Sequence, residues 1–251
     1  MENTSPVEPT DFKSLIDKYS PFLVEARKRL IFTVSVFGVS TLAGFFFYKK
    51  IIRLLVELLS LQGVNIVFTS PFQFINLAFN TGLAFGLVIS FPILIFQVLS
   101  FLKPALKGRE YKMVTRLLPF SLILFLTGLV FGFFIMRWQV KIFLTTSTSL
   151  GIGNVLDINR LLTTVLMTSV IMGIGFQFPI VLLLLIRLGI VKRQKLSKFR
   201  LWIYIGSFVF AVLLPVDSII ADILLTIPLI LLFEMTLLLS KVQKEKRTQK
   251  S

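Results

Sequence analysis

The sequence predicts an all-α integral membrane protein with six transmembrane helices and both termini in the cytoplasm. Two observations predict it. Six long apolar runs alternate with short polar connectors, and the basic residues crowd onto alternate connectors. Apolar residues make up 55% of the chain, and mean hydropathy is +0.89. A soluble domain sits nearer about 45–50% apolar. The excess lies in runs of span length, so a bilayer is the better solvent than a larger core.

The first run, Leu30–Tyr48, is preceded by Arg27, Lys28 and Arg29. Residues 1–29 carry Glu2, Glu8, Asp11 and Asp17 and no apolar stretch of signal length, so they read as a polar cytoplasmic tail. Ile51–Leu61 follows, with Arg53 and Glu57 four apart among Ile and Leu, a pattern for an amphipathic helix in the interface or capping the bundle. The second run, Phe72–Leu102, exceeds one hydrocarbon thickness, with its span near 73–101. A polar connector, Lys103–Lys112, leads to the third run, Leu117–Met136. Residues 137–160 are less apolar and read as an outer loop with partial helix.

The fourth run is Leu161–Ile186, followed by a basic connector. The fifth, Leu201–Leu214, is short: its 14 residues give about 21 Å of helix against a hydrocarbon core of about 30 Å. Either it recruits residues from Lys198 onward, or the bilayer thins beside it. After the turn Pro215–Ser218 comes the sixth run, Ile219–Leu239. The membrane domain therefore spans 30–240, and 241–251 is a basic tail expected to be disordered. The alternative is five spans, with the 201–239 hairpin re-entrant.

Charge sets orientation. The N-terminal tail, second connector, fourth connector and C-terminus hold 21 of the 27 basic residues; the opposite segments hold 6. The excess places both ends in the cytoplasm. It also explains a formal net charge of +15 without invoking nucleic acid.

The chain has no Cys and no His, which excludes disulfides, thiol nucleophiles, Cys-based metal sites and any His-dependent triad. No catalytic group, metal site or cofactor is expected, and no phosphate-binding GxxxxGK[ST] appears. Gly82/Gly86 and Gly128/Gly132 have the spacing that lets membrane helices approach closely. Pro92, Pro179 and Pro228 fall within runs and can bend them into a curved wall.

Acids are scarce, so their positions inform. Glu25 lies one turn before the first membrane entry, and Glu110 lies in the connector after the second run. The topology puts both on the cytoplasmic face, where two carboxylates suit a cationic ligand, guanidinium above all. The local alternative pairs Glu25 with Arg29 and Glu110 with its basic neighbours. Glu234 sits inside the sixth run, facing a partner or cavity, or pairing with Lys241 near the interface. Gln177, near Pro179, needs a hydrogen-bond partner at its depth. Asp217 and Asp222 near the outer turn read as solvated.

These residues, taken in order, resemble the TatC family, the large subunit of the twin-arginine protein translocase. Phe22-Leu23-Val24-Glu25-Ala26-Arg27-Lys28-Arg29 is similar to the family's His-Leu-x-Glu-Leu-Arg-x-Arg, with Phe for His and Ala for the second Leu. Phe101, Pro104-Ala105-Leu106 and Glu110 resemble its Phe-x-x-Pro-Ala-Leu and following Glu. Ser70-Pro71-Phe72, Phe176-Gln177-Phe178-Pro179, Pro215-Val216-Asp217, Pro228 and Phe233-Glu234 resemble further family segments, with Gln177 where many relatives have Glu and Leu214 in place of a Thr.

The resemblance covers about residues 15–240. It implies six spans in a concave, glove-like arrangement with short fifth and sixth helices, and recognition of signal peptides bearing two consecutive arginines. Glu25, Arg27, Phe101, Pro104 and Glu110 would contact the peptide. Gln177, Asp217 and Glu234 would be polar or partner contacts in the membrane. It further implies TatA/TatB-type single-span partners, a homo-oligomer within the complex, and export of folded cargo driven by the proton motive force, without enzymatic activity. The setting would be a bacterial cytoplasmic membrane or a plastid thylakoid membrane. The competing reading, a small-solute secondary transporter, predicts a midplane ionisable site and a sequence repeat, and neither is evident. An intramembrane enzyme would need an Asp pair or a Ser–Lys dyad, for which no spacing is found.

Overall fold

The computed structural model describes residues 9–61, 64–101, 108–151, 155–187 and 189–248; the side chains of 9–19, 21–22, 65–66, 108–116, 155, 187, 193 and 241–248 are outside that description. Nine helices and two three-residue strands make up these residues. Five segments are long and apolar enough to cross a membrane: Leu23–Phe46, Gln73–Phe101, Leu117–Ser149, Ile158–Ile186 and Ile219–Ser240. A shorter apolar helix, Arg200–Val212, stands where the fifth run was expected.

Helix α1 runs from Pro9 to Phe46, so the polar stretch before the first run is helical from Pro9 onward. A single turn residue, Phe47, separates it from α2, Tyr48–Leu58. This is the amphipathic helix anticipated from Arg53 and Glu57. Leu55 and Leu59 are buried with Leu61, Leu77, Met136 and Leu162, while Arg53 and Glu57 are exposed. Ser60, at φ 56°, ends it in the left-handed conformation that closes many helices.

Helix α3, Gln73–Phe101, packs along α1. The small residues make that approach possible. A Cβ on Gly82 would lie 2.8 Å from the Thr41 carbonyl oxygen and 3.1 Å from the Phe45 nitrogen. Helix α4, Gly108–Ser149, is one helix of 42 residues, about 63 Å long. The first part of the expected outer loop, Arg137–Ser149, is therefore a continuation of α4. That stretch contains neither Gly nor Pro, so nothing interrupts propagation. Gly128 and Gly132 of α4 seat α5, Ile158–Gly175, against Met172, Gly173 and Ser169.

Between α5 and α6, Phe178–Arg187, the helix breaks. Pro179 has no N–H to give the fourth residue back, and Gln177 N–H turns instead to Ile174 O at 2.9 Å. Pro92, Pro119 and Pro228 lie inside continuous helices; of the three prolines expected to bend a run, Pro179 alone coincides with a break between helices.

Short α7, Arg193–Lys198, leads into α8, Arg200–Val212. Helical bonding carries through the junction, with Phe199 N–H on Lys195 O at 3.0 Å and Ile203 N–H on Phe199 O at 3.1 Å. The short fifth run thus gains helix on its N-terminal side. Helix α9, Ile219–Thr248, packs on α8; at 30 residues it is longer than the short sixth helix the resemblance implied, because helical bonding runs on past the apolar run. It continues through residues 241–248, correcting the expectation of a disordered tail there. Those residues are mostly unbranched Lys, Gln, Glu and Arg, good helix formers that extend a helix already nucleated in the membrane.

One element was not anticipated. β1, Asn65–Val67, pairs in parallel with β2, Val155–Asp157, with Asn65 opposite Val155 and Val67 opposite Asp157. The ribbon ties the segment after α2 to the segment before α5.

Candidate functional site

Glu25 and Arg29 stand one turn apart on α1. The Arg29 Nη2 donates to Glu25 Oε1 at 2.5 Å, and Nη1 donates to the backbone carbonyl of Gln97 on α3 at 2.9 Å. The local pairing considered for Glu25 is therefore present, and it is also an inter-helix clamp. The Glu25 side chain keeps 43% of its surface accessible. Its carboxylate, with two oxygens and about four acceptor positions, can take a further guanidinium beside Arg29. Arg27 is exposed. Phe101, half-buried, lies one turn beyond Gln97 at the end of α3, on the same end of the bundle as Glu25.

Glu110 falls in the first turn of α4, which begins seven residues after α3 ends, so connectivity keeps its backbone at this end; its side chain lies outside the described residues. Pro104 also lies outside them.

Gln177 is buried at the α5–α6 break and exchanges two hydrogen bonds with one residue of α4. The Ser121 hydroxyl donates to Gln177 Oε1 at 2.7 Å, and Gln177 Nε2 donates to Ser121 O at 3.0 Å. Of the two sequence readings, helix-to-helix glue is what this geometry performs. Beside it opens a cavity of about 630 Å³, walled by Phe91 of α3, Ile174 and Phe178 at the break, Trp202 and Phe210 of α8, and Leu229 of α9. Its lining is almost wholly apolar.

Glu234 is held by α8: the Tyr204 hydroxyl donates to Oε1 at 2.6 Å, and Arg200 Nε lies 3.3 Å from the same oxygen. Lys241, the partner suggested by sequence, has a side chain outside the described residues. Asp217 is exposed and pairs with Arg160 at 2.6 Å, three-quarters accessible on both sides, a geometry of little energetic weight. Asp222 was expected to be solvated, and the structure corrects this. It is 7% exposed in the first turn of α9, with Oδ1 lacking a hydrogen-bond partner among the described residues. Tertiary packing covers a position that lies close to the turn in sequence.

Sequence reasoning missed Asp157. It caps α5, accepting from Arg160 N–H at 3.1 Å, while the Thr69 hydroxyl and Gln73 Nε2 donate to Oδ2 at 2.7 and 2.8 Å. Burial raises its pKa, but the hydrogen bonds from Arg160 N–H, Thr69, Gln73 and Asn159 N–H outweigh that, and the net pKa lies below 3.8. An Asp before an apolar run was the available signal.

Fold and site together define a polytopic helical membrane protein with a charged, clamped rim at one end and an apolar chamber among its helices. Residues 21–228 match the family described as Sec-independent protein translocase protein (TatC). The chain is 33% identical to the Sec-independent protein translocase protein TatCy of Bacillus subtilis over 236 residues, 91% of each chain. It is 31% identical to TatC of Aquifex aeolicus over 240 residues, 91% of this chain and 98% of that one. A crystal structure of the twin-arginine translocase receptor TatC in DDM superposes with a TM-score of 0.78 at 29% identity, covering 87% of this chain and 98% of that one. The chain belongs to the TatC family of Sec-independent protein translocases.

Proposed function

We propose that this protein is the receptor subunit of a twin-arginine translocase in a bacterial cytoplasmic membrane. It recognises signal peptides bearing paired arginines and takes part in proton-motive-force-driven export of folded cargo. The observation that carries the reading is the likeness, over nearly the whole of both chains, to a twin-arginine translocase receptor. The half-accessible Glu25 carboxylate supports it, because a planar guanidinium satisfies two carboxylate oxygens at once and an ammonium does not. Glu110, in the first turn of α4, supplies the second acid; Arg27, Phe101 and Pro104 complete the peptide contact. The apolar chamber beside Gln177 offers room for the apolar part of the signal peptide. Single-span TatA/TatB-type subunits and further copies of the chain assemble around it, with Gln177, Asp217 and Glu234 as polar contacts, and no enzymatic step is involved. Family membership leaves the solute-transporter reading without support.

The test is export of a twin-arginine reporter in cells lacking their own large subunit, with cognate small subunits supplied, alongside photo-crosslinking of the signal peptide. Glu25→Gln and Glu110→Gln should each abolish crosslinking while the protein inserts normally. Undiminished crosslinking in both would remove the site assignment; no export by the parent chain would remove the function.

A further inference from the structure

We propose that α2 is a lipid-binding element whose basic face takes the phosphate groups of anionic phospholipids in the leaflet at the outer end of the bundle. At 3.6 residues per turn, three stripes run along this helix. Ile51, Ile52, Leu55, Val56 and Leu59 face the protein and pack with Leu77, Met136 and Leu162. A second, apolar stripe does not: Phe47, Leu54 and Leu58, spaced seven and four apart, are 55%, 55% and 43% exposed. The third stripe carries Lys49, Lys50, Arg53 and Glu57, all exposed. Neither Lys49 nor Arg53 makes an ion pair among the described residues, Glu57 included, and Lys50 sits 5.6 Å over the Phe47 ring.

Such a helix suits one environment, the boundary where acyl chains meet charged headgroups. Its place in the chain agrees. It follows the first span after a single turn residue, and Phe46, the last residue of that span, is 78% exposed. The placement of charge argues for anionic rather than zwitterionic lipid. Basic residues are scarce on this side of the membrane, six in all, yet three of the six lie within residues 49–53. Each Lys or Arg near an anionic surface attracts it by a factor of about five in affinity.

The chain has no native cysteine, so one introduced at Leu54 reports alone. The full chain carrying L54C, labelled with an environment-sensitive fluorophore, is placed in nanodiscs of mixed phosphatidylcholine and phosphatidylglycerol, with an acyl-chain nitroxide on one or the other lipid. The expected result is quenching by both, at least about threefold stronger from phosphatidylglycerol, falling toward parity as salt is raised. In the same labelled chain, combined K49Q, K50Q and R53Q substitutions should keep the quenching and lose the preference. Absence of quenching by either lipid would mean that protein, such as a second copy, covers this stripe, and would overturn the proposal. Equal quenching at low salt, or a preference that survives both high salt and the triple substitution, would overturn it as well.

Discussion

The guanidinium of Arg29 reaches from α1 to the backbone carbonyl of Gln97 on α3, 2.9 Å away, while its other terminal nitrogen holds Glu25. One side chain thus ties two helices together and holds the rotamer of the carboxylate proposed for ligand recognition. Lysine carries the same charge but not the fork that serves two acceptors in one plane. Arg29→Lys should lower stability in detergent by about 1 kcal/mol, the discount reflecting the accessibility of the Glu25 pair. Thermal unfolding would show it. An unchanged midpoint would mean that the clamp is redundant with the packing of α1 on α3.

The small-residue pairs give a prediction whose sign depends on position. A Cβ on Gly128 would lie 2.7 Å from the Met172 carbonyl oxygen and 2.9 Å from the Gly173 Cα, both backbone atoms that cannot swing aside. Gly128→Ala should cost about 1–3 kcal/mol through separation of α4 from α5. Gly38 in α1 has nothing within 4 Å of the same position. Gly38→Ala should therefore stabilise by about 0.5–1 kcal/mol through helix propensity alone. Chemical denaturation of the two variants side by side checks the contrast.

Gln177 and Ser121 form a closed exchange in a buried place, so removing either partner strands the other. Gln177→Leu leaves the Ser121 hydroxyl and carbonyl facing an apolar side chain and should cost about 1–3 kcal/mol. Adding Ser121→Ala removes the stranded hydroxyl and should return part of that loss. A double-mutant cycle reads the coupling directly; strictly additive losses would show that the two residues do not act as a pair.

The long apolar runs were legible from their length, the amphipathic α2 from its helical period, and the helix-approach glycines from their spacing of four, all of them local features of the sequence. The acids at the rim were legible as positions, since acidic residues are scarce in this chain, 12 against 27 basic ones. What escaped the sequence was pairing. Glu234 is met by Tyr204 and Arg200, 30 and 34 residues away, and no local pattern encodes that meeting. Asp222 looked solvated because it stands five residues from an exposed turn acid, yet it is buried in the folded chain. The β1–β2 ribbon is three residues long on each side, too short for a period of two to declare itself.

Asp157 gives a dependence on pH. Its pKa in the folded protein lies below 3.8, so near that pH the folded state binds fewer protons than the unfolded chain. The stability it contributes is therefore fully present above the unfolded value and fades as pH falls through the lower, folded one. Asp157→Ala removes the cap of α5 and the acceptor for Thr69 and Gln73, which together tether the start of α3 to the start of α5. The loss should be about 0.5–2 kcal/mol at neutral pH from the cap alone. It should shrink in acid, because a protonated Asp157 accepts those bonds poorly in the parent too. The gap between the unfolding midpoints of parent and variant, followed from neutral pH into acid below 3.8, should therefore narrow. A gap that stays constant over the range would mean that the carboxylate charge contributes nothing and that the cap acts through shape.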